Sequence, residues 1–226
     1  MDVQQLYKKR FEDQKHQLKR NKIWQVLCRH FFQKFIPEES TIVDIASGYC
    51  EFINNIKAKE KIAFDINSDT TLYAGKDVQV IKDSFFNMDV QLQDKKVDVV
   101  FASNIFEHLE SKEQVVLAVQ KCCSILKNDG TQKGKLMILQ PDIRYTGAAY
   151  WDFIDHKVAL TGPALIEAGE MCGLKVKYWK RKFIPYTTKS KLPQHPLLIW
   201  LYLKLMPVSS YFMGQQTFLI LEPNDD

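Results

Sequence analysis

The stretch TIVDIASGYC, residues 41–50, decides the fold. Residues 41–46 are apolar or β-branched apart from Asp44, which is typical of a short strand buried on both faces of a sheet. Ser47 and Gly48 then form a turn. A glycine there lets the backbone approach a ligand, and the N-terminus of a following helix favours negative charge. The stretch therefore predicts a strand, a ligand-binding turn and a helix, in that order.

Further apolar runs repeat this pattern along the chain. They predict strands at 61–65, 78–81, 97–102, 135–139, 174–179 and 216–221. The segments between the first five strands read mostly as helices. Alternation of strand and helix from 41 to 180 predicts an α/β fold, in which a doubly wound, mostly parallel sheet carries helices on both faces.

Composition narrows the class of protein. The 226 residues are 46% hydrophobic and 26% charged, which are ordinary values for a globular chain and exclude a disordered one. No apolar run reaches the ~18–20 residues of a membrane-spanning helix, and the N-terminus lacks a signal core. Five cysteines without a C-x-x-C pair indicate neither a disulfide framework nor a structural zinc site. We expect a cytoplasmic protein and no metal site.

Basic and acidic residues are unevenly distributed along the chain. Residues 1–35 carry nine Lys/Arg and three Asp/Glu, residues 36–172 carry fourteen and twenty-one, and residues 173–226 carry eight and three. Basic ends around an acidic middle favour an anionic neighbour: a phosphorylated substrate, a membrane surface or nucleic acid. A solvated helix face with scattered surface lysines is the alternative. The basic N-terminal segment also has helical spacing over 5–35, with a break near Asn21 and an end at Pro37.

Polar side chains follow the predicted strands, where ligands bind in such sheets. The Asp65 carboxylate suits the two hydroxyls of a ribose, and Asp83 suits an exocyclic amine such as that of adenine. Residues 46–51 hold one glycine of the three in a dinucleotide fingerprint, and Glu51 would repel a pyrophosphate. These features favour a nucleoside ligand over a dinucleotide.

On these motifs the chain resembles the class I S-adenosylmethionine-dependent methyltransferases. The family's first motif is D-x-G-x-G-x-G, and this sequence keeps Asp44 and Gly48 but has Ala46 and Cys50 at two glycine positions. Residues 97–104 with 106–109 look like the family's fourth-strand motif, and 126–130 like its L-K-P-G-G turn. The resemblance covers about residues 40–142 and implies an enzyme that uses S-adenosylmethionine. The cofactor-binding residues that it implies are Asp44, Ala46, Ser47, Gly48, Asp65, Ile66, Asp83, Ser84, Ser103 and Asn104.

The resemblance also implies a domain organisation. A seven-stranded sheet would end in a reversed hairpin of the last two strands, here separated by a long insert. We expect one methyltransferase domain over 1–226, with a helical extension (1–39), a Rossmann-like core (40–182), an insert (183–214) and a last strand with a tail (215–226). The apolar part of the insert is either buried, as a lid or a dimer contact, or lies in a membrane interface.

The residues that would bind the methyl acceptor follow the fourth and fifth strands. Methyl transfer needs an aligned acceptor and, for a hydroxyl, removal of its proton, so His108 and His156 are the candidate catalytic bases. A structural role is the alternative for each histidine. Arg144 suits an anionic group, with a surface ion pair to Asp142 as the alternative. The substrate-binding candidates are Arg144, Tyr145, Trp151 and Tyr186.

These residues favour O-methylation of a small-molecule or glycan acceptor. The aromatic segment 145–153 with residues 185–189 resembles bacterial methyltransferases of surface-glycan and lipid-linked sugar pathways. Alternatives are an RNA or protein methyltransferase, or a non-catalytic relic of the fold that binds nucleosides. We expect no nucleic-acid partner, because the Asn/Asp-Pro-Pro-Tyr/Phe motif and the Pro-Cys nucleophile are absent. Peripheral contact with the inner face of the membrane and a homodimer are further expectations.

Overall fold

One mixed sheet of seven strands organises the chain. The computed structural model describes residues 14–130, 132–185, 195–206 and 208–225. The strands are β1 (Thr41–Ile45), β2 (Glu60–Phe64), β3 (Val78–Ile81), β4 (Val99–Ser103), β5 (Lys135–Pro141), β6 (Leu174–Lys180) and β7 (Gln216–Pro223). All seven lie where the apolar runs predict them, with ends that differ by one or two residues.

The strand order is β3-β2-β1-β4-β5-β7-β6. Strands β1 to β5 pair in parallel, whereas β7 runs antiparallel to both β5 and β6. The doubly wound sheet and the reversed hairpin of the last two strands are therefore confirmed. The order reverses between β1 and β4, and ligands of such sheets bind at the carboxyl ends of the strands that flank this point.

Helices cover both faces of the sheet. They are α1 (Gln14–His30), α2 (Glu51–Asn55), α3 (Thr70–Tyr73), α4 (Met88–Gln91), α5 (Lys112–Ser124), α6 (Ile143–Thr146), α7 (Gly162–Met171), α8 (Pro196–Lys204) and α9 (Val208–Met213), with 3-10 turns at Phe32–Lys34, Phe85–Asn87, Phe106–His108 and Gly147–Asp152. Helices α5 and α7 pack on one apolar face. Helices α1, α2 and α8 pack on the other.

Side-chain caps set the beginnings of α5 and α7. Ser111 Oγ accepts the amide of Gln114, and Thr161 Oγ1 accepts the amide of Ala164 (both 3.3 Å). The Asn-Asp-Gly sequence at residues 128–130 predicts the end of α5 there, but the helix ends at Ser124. Beyond it, the chain pairs with the segment before β4: the Val97 amide donates to Ile125, and the Lys127 amide donates to Val97.

The basic N-terminal helix packs against the segment that follows β1. A break near Asn21 is wrong: α1 runs through it, and Asn21 Oδ1 accepts a hydrogen bond from Asn55 Nδ2 on α2 (2.6 Å). The preceding residue of α1, Arg20, forms an ion pair with Glu51 at the start of α2 (2.5 Å). The predicted part before residue 14 lies outside the described residues.

The insert splits into two short helices. In α8, Ile199 and Leu203 pack against the core, so one side of the helix is partly buried. A second side is exposed, and its apolar residues are Leu197, Leu198 and Leu201, with Leu205 directly after the helix. Among the described residues, no helix combines the length and apolarity that crossing a bilayer requires.

Candidate active site

A left-handed backbone shapes the loop between β1 and α2. Ala46, Gly48 and Cys50 have φ values of 51°, 53° and 57°. These are the three positions at which the family motif has glycine, so the loop keeps the conformation of the motif without two of its glycines. A non-glycine residue in this region costs about 1–2 kcal/mol. Ala46 and Cys50 therefore hold strained backbone at the carboxyl end of β1.

Two buried acids lie beside this loop, and Asp65 holds it in place. Asp65, directly after β2, accepts the Gly48 amide through Oδ2 (2.7 Å) and the Asn67 amide through Oδ1 (2.8 Å). Burial raises its pKa, and these two hydrogen bonds act in the opposite direction. Asp44 is fully enclosed in β1, and its pKa is raised first by burial and then by the charge of Asp65. Each Asp65 oxygen keeps a lone pair that can accept from a ribose hydroxyl.

The residues after β2 and β3 lie farther out along the edge that the carboxyl ends of the parallel strands form. The side chain of Ile66 is 73% exposed and is therefore open to a ligand. Asp83 accepts hydrogen bonds from Ser84, Asn87 and Gln91, and these bonds lower its pKa. Ser84 caps the 3-10 turn that begins at residue 85. Asp83 is thus held by its own loop, with its carboxylate outward.

The end of β4 contributes an unsatisfied acceptor. Asn104 has a left-handed backbone (φ 51°), and its Nδ2 donates to Ser103 Oγ (3.1 Å). Its Oδ1 is buried and accepts no hydrogen bond from the described residues. A ligand with an ammonium or amine donor would satisfy this atom. The residues present therefore fit a nucleoside that carries an amino-acid group.

A compact carboxylate and histidine cluster follows β4. Glu107, His108 and His156 each place one ligand atom within 4.8 Å of the other two. His108 Nδ1 lies 3.0 Å from the carbonyl oxygen of Asp155, and Nε2 lies 3.9 Å from Glu107 Oε1. The structure thus brings together the two predicted histidines, and Asp155 holds His108. His156 is buried and stacks on Phe153, with ring centroids 5.1 Å apart.

Sequence reasoning missed one member of this cluster, Glu107, and its hydrogen-bond partner, Gln140. Glu107 is only 1% exposed, and its Oε2 accepts from Gln140 Nε2 of β5 (2.8 Å). Burial raises the pKa of Glu107, while His108 and Gln140 lower it. The sequence signal for Glu107 was its place beside His108 in the fourth-strand motif. Gln140 stood next to the predicted end of β5, but no pattern indicated its partner.

The four substrate candidates lie in different surroundings. Arg144 is exposed, and only its backbone amide meets Asp142 Oδ1 (3.0 Å). Asp142 serves the fold, because its Oδ2 accepts the Gly162 amide at the start of α7. The ring of Tyr145 lies 5.2 Å from Lys182 Nζ, and Trp151 is 51% exposed. Tyr186 lies outside the described residues.

The family model for a methyltransferase domain matches residues 43–132. This range contains the loop between β1 and α2, the acids Asp44 and Asp65, the end of β4, and Glu107 with His108. This part of the chain is therefore a methyltransferase domain by sequence similarity, and the whole sheet has the fold of the class I S-adenosylmethionine-dependent methyltransferases. S-adenosylmethionine is the cofactor of solved methyltransferases that share this fold, and the sequence predicts a nucleoside ligand at these strand ends. None of the curated proteins matches the chain.

Solved methyltransferases share the fold over nearly the whole chain. An S-adenosylmethionine-dependent methyltransferase of Archaeoglobus fulgidus is 19% identical, with 99% of this chain and 100% of that chain covered and a TM-score of 0.62. One from Thermotoga maritima is 17% identical, with 96% and 98% covered and a TM-score of 0.61. The magnesium protoporphyrin IX methyltransferase of Synechocystis, solved with S-adenosylhomocysteine, is 8% identical, with 95% and 87% covered and a TM-score of 0.59.

The strained loop of this methyltransferase generates a prediction. Ala46→Gly should raise the free energy of unfolding by up to about 1 kcal/mol, because glycine adopts a positive φ without the steric penalty of a Cβ atom. Ala164→Gly, in the first turn of α7, is the control and should lower it by about 0.5–1 kcal/mol. Urea unfolding of the three proteins measures both effects. A loss of stability in Ala46→Gly would contradict the proposed strain.

Proposed function

We propose that this methyltransferase transfers the methyl group to a hydroxyl of a small-molecule or glycan acceptor. The observation that carries the proposal is the common edge of the cofactor loop and the histidine cluster. Parallel strands β1, β2, β4 and β5 end at this edge, so a cofactor on the first two strands would point toward His108 and His156. Two imidazoles beside the transferred group suit an acceptor that must lose a proton.

The cofactor side is assigned residue by residue. Asp65 would accept from the ribose hydroxyls, Ile66 would cover the adenine, and Asp83 with Ser84 would bind its amino group. Gly48 with Ala46 and Ser47 would bring backbone close to the amino-acid part, and Asn104 Oδ1 beside Ser103 would accept from its ammonium group. Asp44 would act from inside the sheet by shaping the loop. S-adenosylmethionine supplies an activated methyl group on a sulfonium leaving group.

Asp65→Asn should weaken binding of S-adenosylhomocysteine by about tenfold or more. One carboxylate oxygen becomes an NH₂ group, which can no longer accept from a backbone amide or a ribose hydroxyl, and a hydrogen bond to a charged group is worth about 1.5–3 kcal/mol. Titration calorimetry measures the affinity. Asp77→Asn is the control, because Asp77 pairs with Lys61 at the opposite edge of the sheet and should leave affinity unchanged. Equal affinities in all three proteins would show that Asp65 does not contribute to cofactor binding.

The acceptor would lie over the carboxyl ends of β4 and β5. His108 and His156 would contact its hydroxyl and assist the loss of the proton, and the hydroxyl oxygen would align behind the methyl carbon. Tyr145 and Trp151 would offer aromatic surface to a sugar or ring, as would Tyr186. The exposed guanidinium of Arg144 would pair with an anionic group of the acceptor. Asp155 positions His108 from the far side of the ring.

A transfer assay tests this function. The purified chain receives S-adenosylmethionine labelled on the methyl group, with four acceptor pools: hydroxylated small molecules with nucleotide sugars, extracted lipid-linked sugars, tRNA and protein. We expect alkali-stable label in one of the first two pools. His156→Gln should lower that transfer by about 100-fold or more while S-adenosylhomocysteine affinity is kept. His30→Gln, at the partly exposed last residue of α1, is the control. Label confined to tRNA or protein would contradict the proposal.

A membrane surface is the second partner that we propose. Besides the three exposed leucines of α8 and Leu205 directly after it, the side chains of Val208, Tyr211 and Phe212 on α9 are 64–78% exposed. Lys204 lies 5.7 Å from the ring of Trp200, and Lys182 lies 5.2 Å from that of Tyr211. An apolar surface that carries lysines is complementary to an interface of anionic lipids. Lipid-linked acceptors would then reach the site from that interface.

Vesicle flotation measures this contact. The wild type should float with vesicles that contain an anionic phospholipid, and less so with neutral vesicles or in high salt. Phe212→Ser with Leu201→Ser should abolish flotation, because both side chains are exposed and the fold does not depend on them. Leu72→Ser, at an exposed leucine of α3, is the control. Unchanged flotation of the double variant would contradict membrane binding by this surface. A wild type that does not float would contradict it as well.

A further inference from the structure

We propose that Glu107, His108 and His156 bind one divalent transition-metal ion, for which zinc has the most suitable coordination chemistry. The three ligand atoms lie within 4.8 Å of one another at the carboxyl ends of β4 and β5. Two imidazoles and one carboxylate form a donor set that zinc takes in catalytic sites. Metal binding stands on this geometry alone, whereas the role of the ion toward the acceptor rests on the proposed function.

The orientation of His108 is that of a metal ligand. Its Nδ1 faces the carbonyl oxygen of Asp155 at 3.0 Å, and a carbonyl can only accept a hydrogen bond, so the proton is on Nδ1. Nε2 then carries the lone pair and faces Glu107. Metal-binding histidines almost always donate their other N–H to a carbonyl or carboxylate, which fixes both tautomer and ring orientation. Asp155 plays that part here.

Glu107 is oriented in the same way. Gln140 Nε2 donates to its Oε2 at 2.8 Å, which leaves Oε1 directed toward the two histidines. Isolating a carboxylate from water is costly unless a cation or hydrogen bonds compensate it. An ion bound to Oε1 would supply this compensation in a side chain that is only 1% exposed. Each of these two ligands thus has a hydrogen-bond partner behind it.

His156 completes the site as a rigid third ligand. Its ring stacks on Phe153 and meets Tyr150 edge-on, with centroids 5.1 and 4.9 Å apart. The His108 ring lies at 76° to it, with centroids 5.1 Å apart. Zinc ligands in a tetrahedron lie roughly 3.4 Å apart, because zinc–nitrogen and zinc–oxygen bonds are about 2.1 Å. Small side-chain rotations close the present 3.9 Å between Glu107 Oε1 and His108 Nε2 to that value.

Three protein ligands leave one coordination position open. Structural zinc sites have four protein ligands, whereas catalytic ones have three and an exchangeable fourth. The open position would take the acceptor hydroxyl and lower its pKa, so that the proton leaves to solvent more readily before the methyl group arrives. With their lone pairs on the ion, His108 and His156 would then assist the loss of the proton through the ion, not as bases themselves. Glu107 would then be a ligand of the ion that activates the acceptor, rather than a buried structural acid.

Metal content and zinc titration test the site. The full-length chain is stripped with a chelator and dialysed, and zinc alone is then titrated in by calorimetry, with elemental analysis of the product. We expect one zinc per chain and a higher melting temperature with zinc. Glu107→Gln and His108→Gln should each lower zinc affinity by at least tenfold. His30→Gln is the matched control and should keep both the stoichiometry and the thermal shift.

The contradicting results are specific. Failure of the wild type to bind zinc stoichiometrically overturns the proposal, and so does zinc that persists in both variants, since the cysteines would then hold it. If His108→Gln fails to fold, Glu107→Gln, which keeps the shape of the side chain, decides. S-adenosylhomocysteine calorimetry on the same proteins separates this proposal from the proposed function. Loss of zinc with intact cofactor binding leaves the methyltransferase assignment untouched.

Discussion

The hydrogen bond from the Gly48 amide to Asp65 Oδ2 connects the two halves of the proposed cofactor site. It ties the loop after β1 to the end of β2, and the Asn67 amide holds the other oxygen of the same carboxylate. Asp65 therefore cannot swing away when a ligand binds or leaves. Its remaining lone pairs keep fixed directions, which is what recognition of two neighbouring hydroxyls requires. The rest of the edge is built around this fixed carboxylate.

Acidic groups accumulate at this edge, and the fold must compensate them. Asp44, Asp65 and Glu51 all lie close enough that burial and mutual repulsion raise the pKa of Asp44. Arg20 reaches Glu51 from α1, with its guanidinium also over the ring of Tyr49 at 5.1 Å. The basic N-terminal helix thus neutralises part of the site. The positive charge of Arg20, which the sequence counts toward a signal for an anionic partner, therefore has an internal use.

The sequence predicts the sheet well because buried strands are short apolar runs that turn residues separate. It also places polar residues at the strand ends, which suffices to predict a nucleoside site. It fails where the determining contact joins distant residues. The continuous α1 depends on Asn21 meeting Asn55, and the exposed leucines of α8 depend on how that helix packs on α1. The pairing of Glu107 with Gln140 joins two strand ends and has no local signal.

Loss of two motif glycines does not make the loop a relic. Ala46 and Cys50 keep the left-handed conformation that glycine would take, so other interactions enforce it. The Ser47 amide donates to Phe64 and the Cys50 amide donates to Ser47, in addition to the bond from Gly48 to Asp65. The Cys50 thiol is buried against the Thr70 carbonyl, and burial raises its pKa to about 12. A side chain at this position therefore packs under the loop without entering the ligand side, and a strained but fixed backbone keeps the geometry that cofactor binding needs.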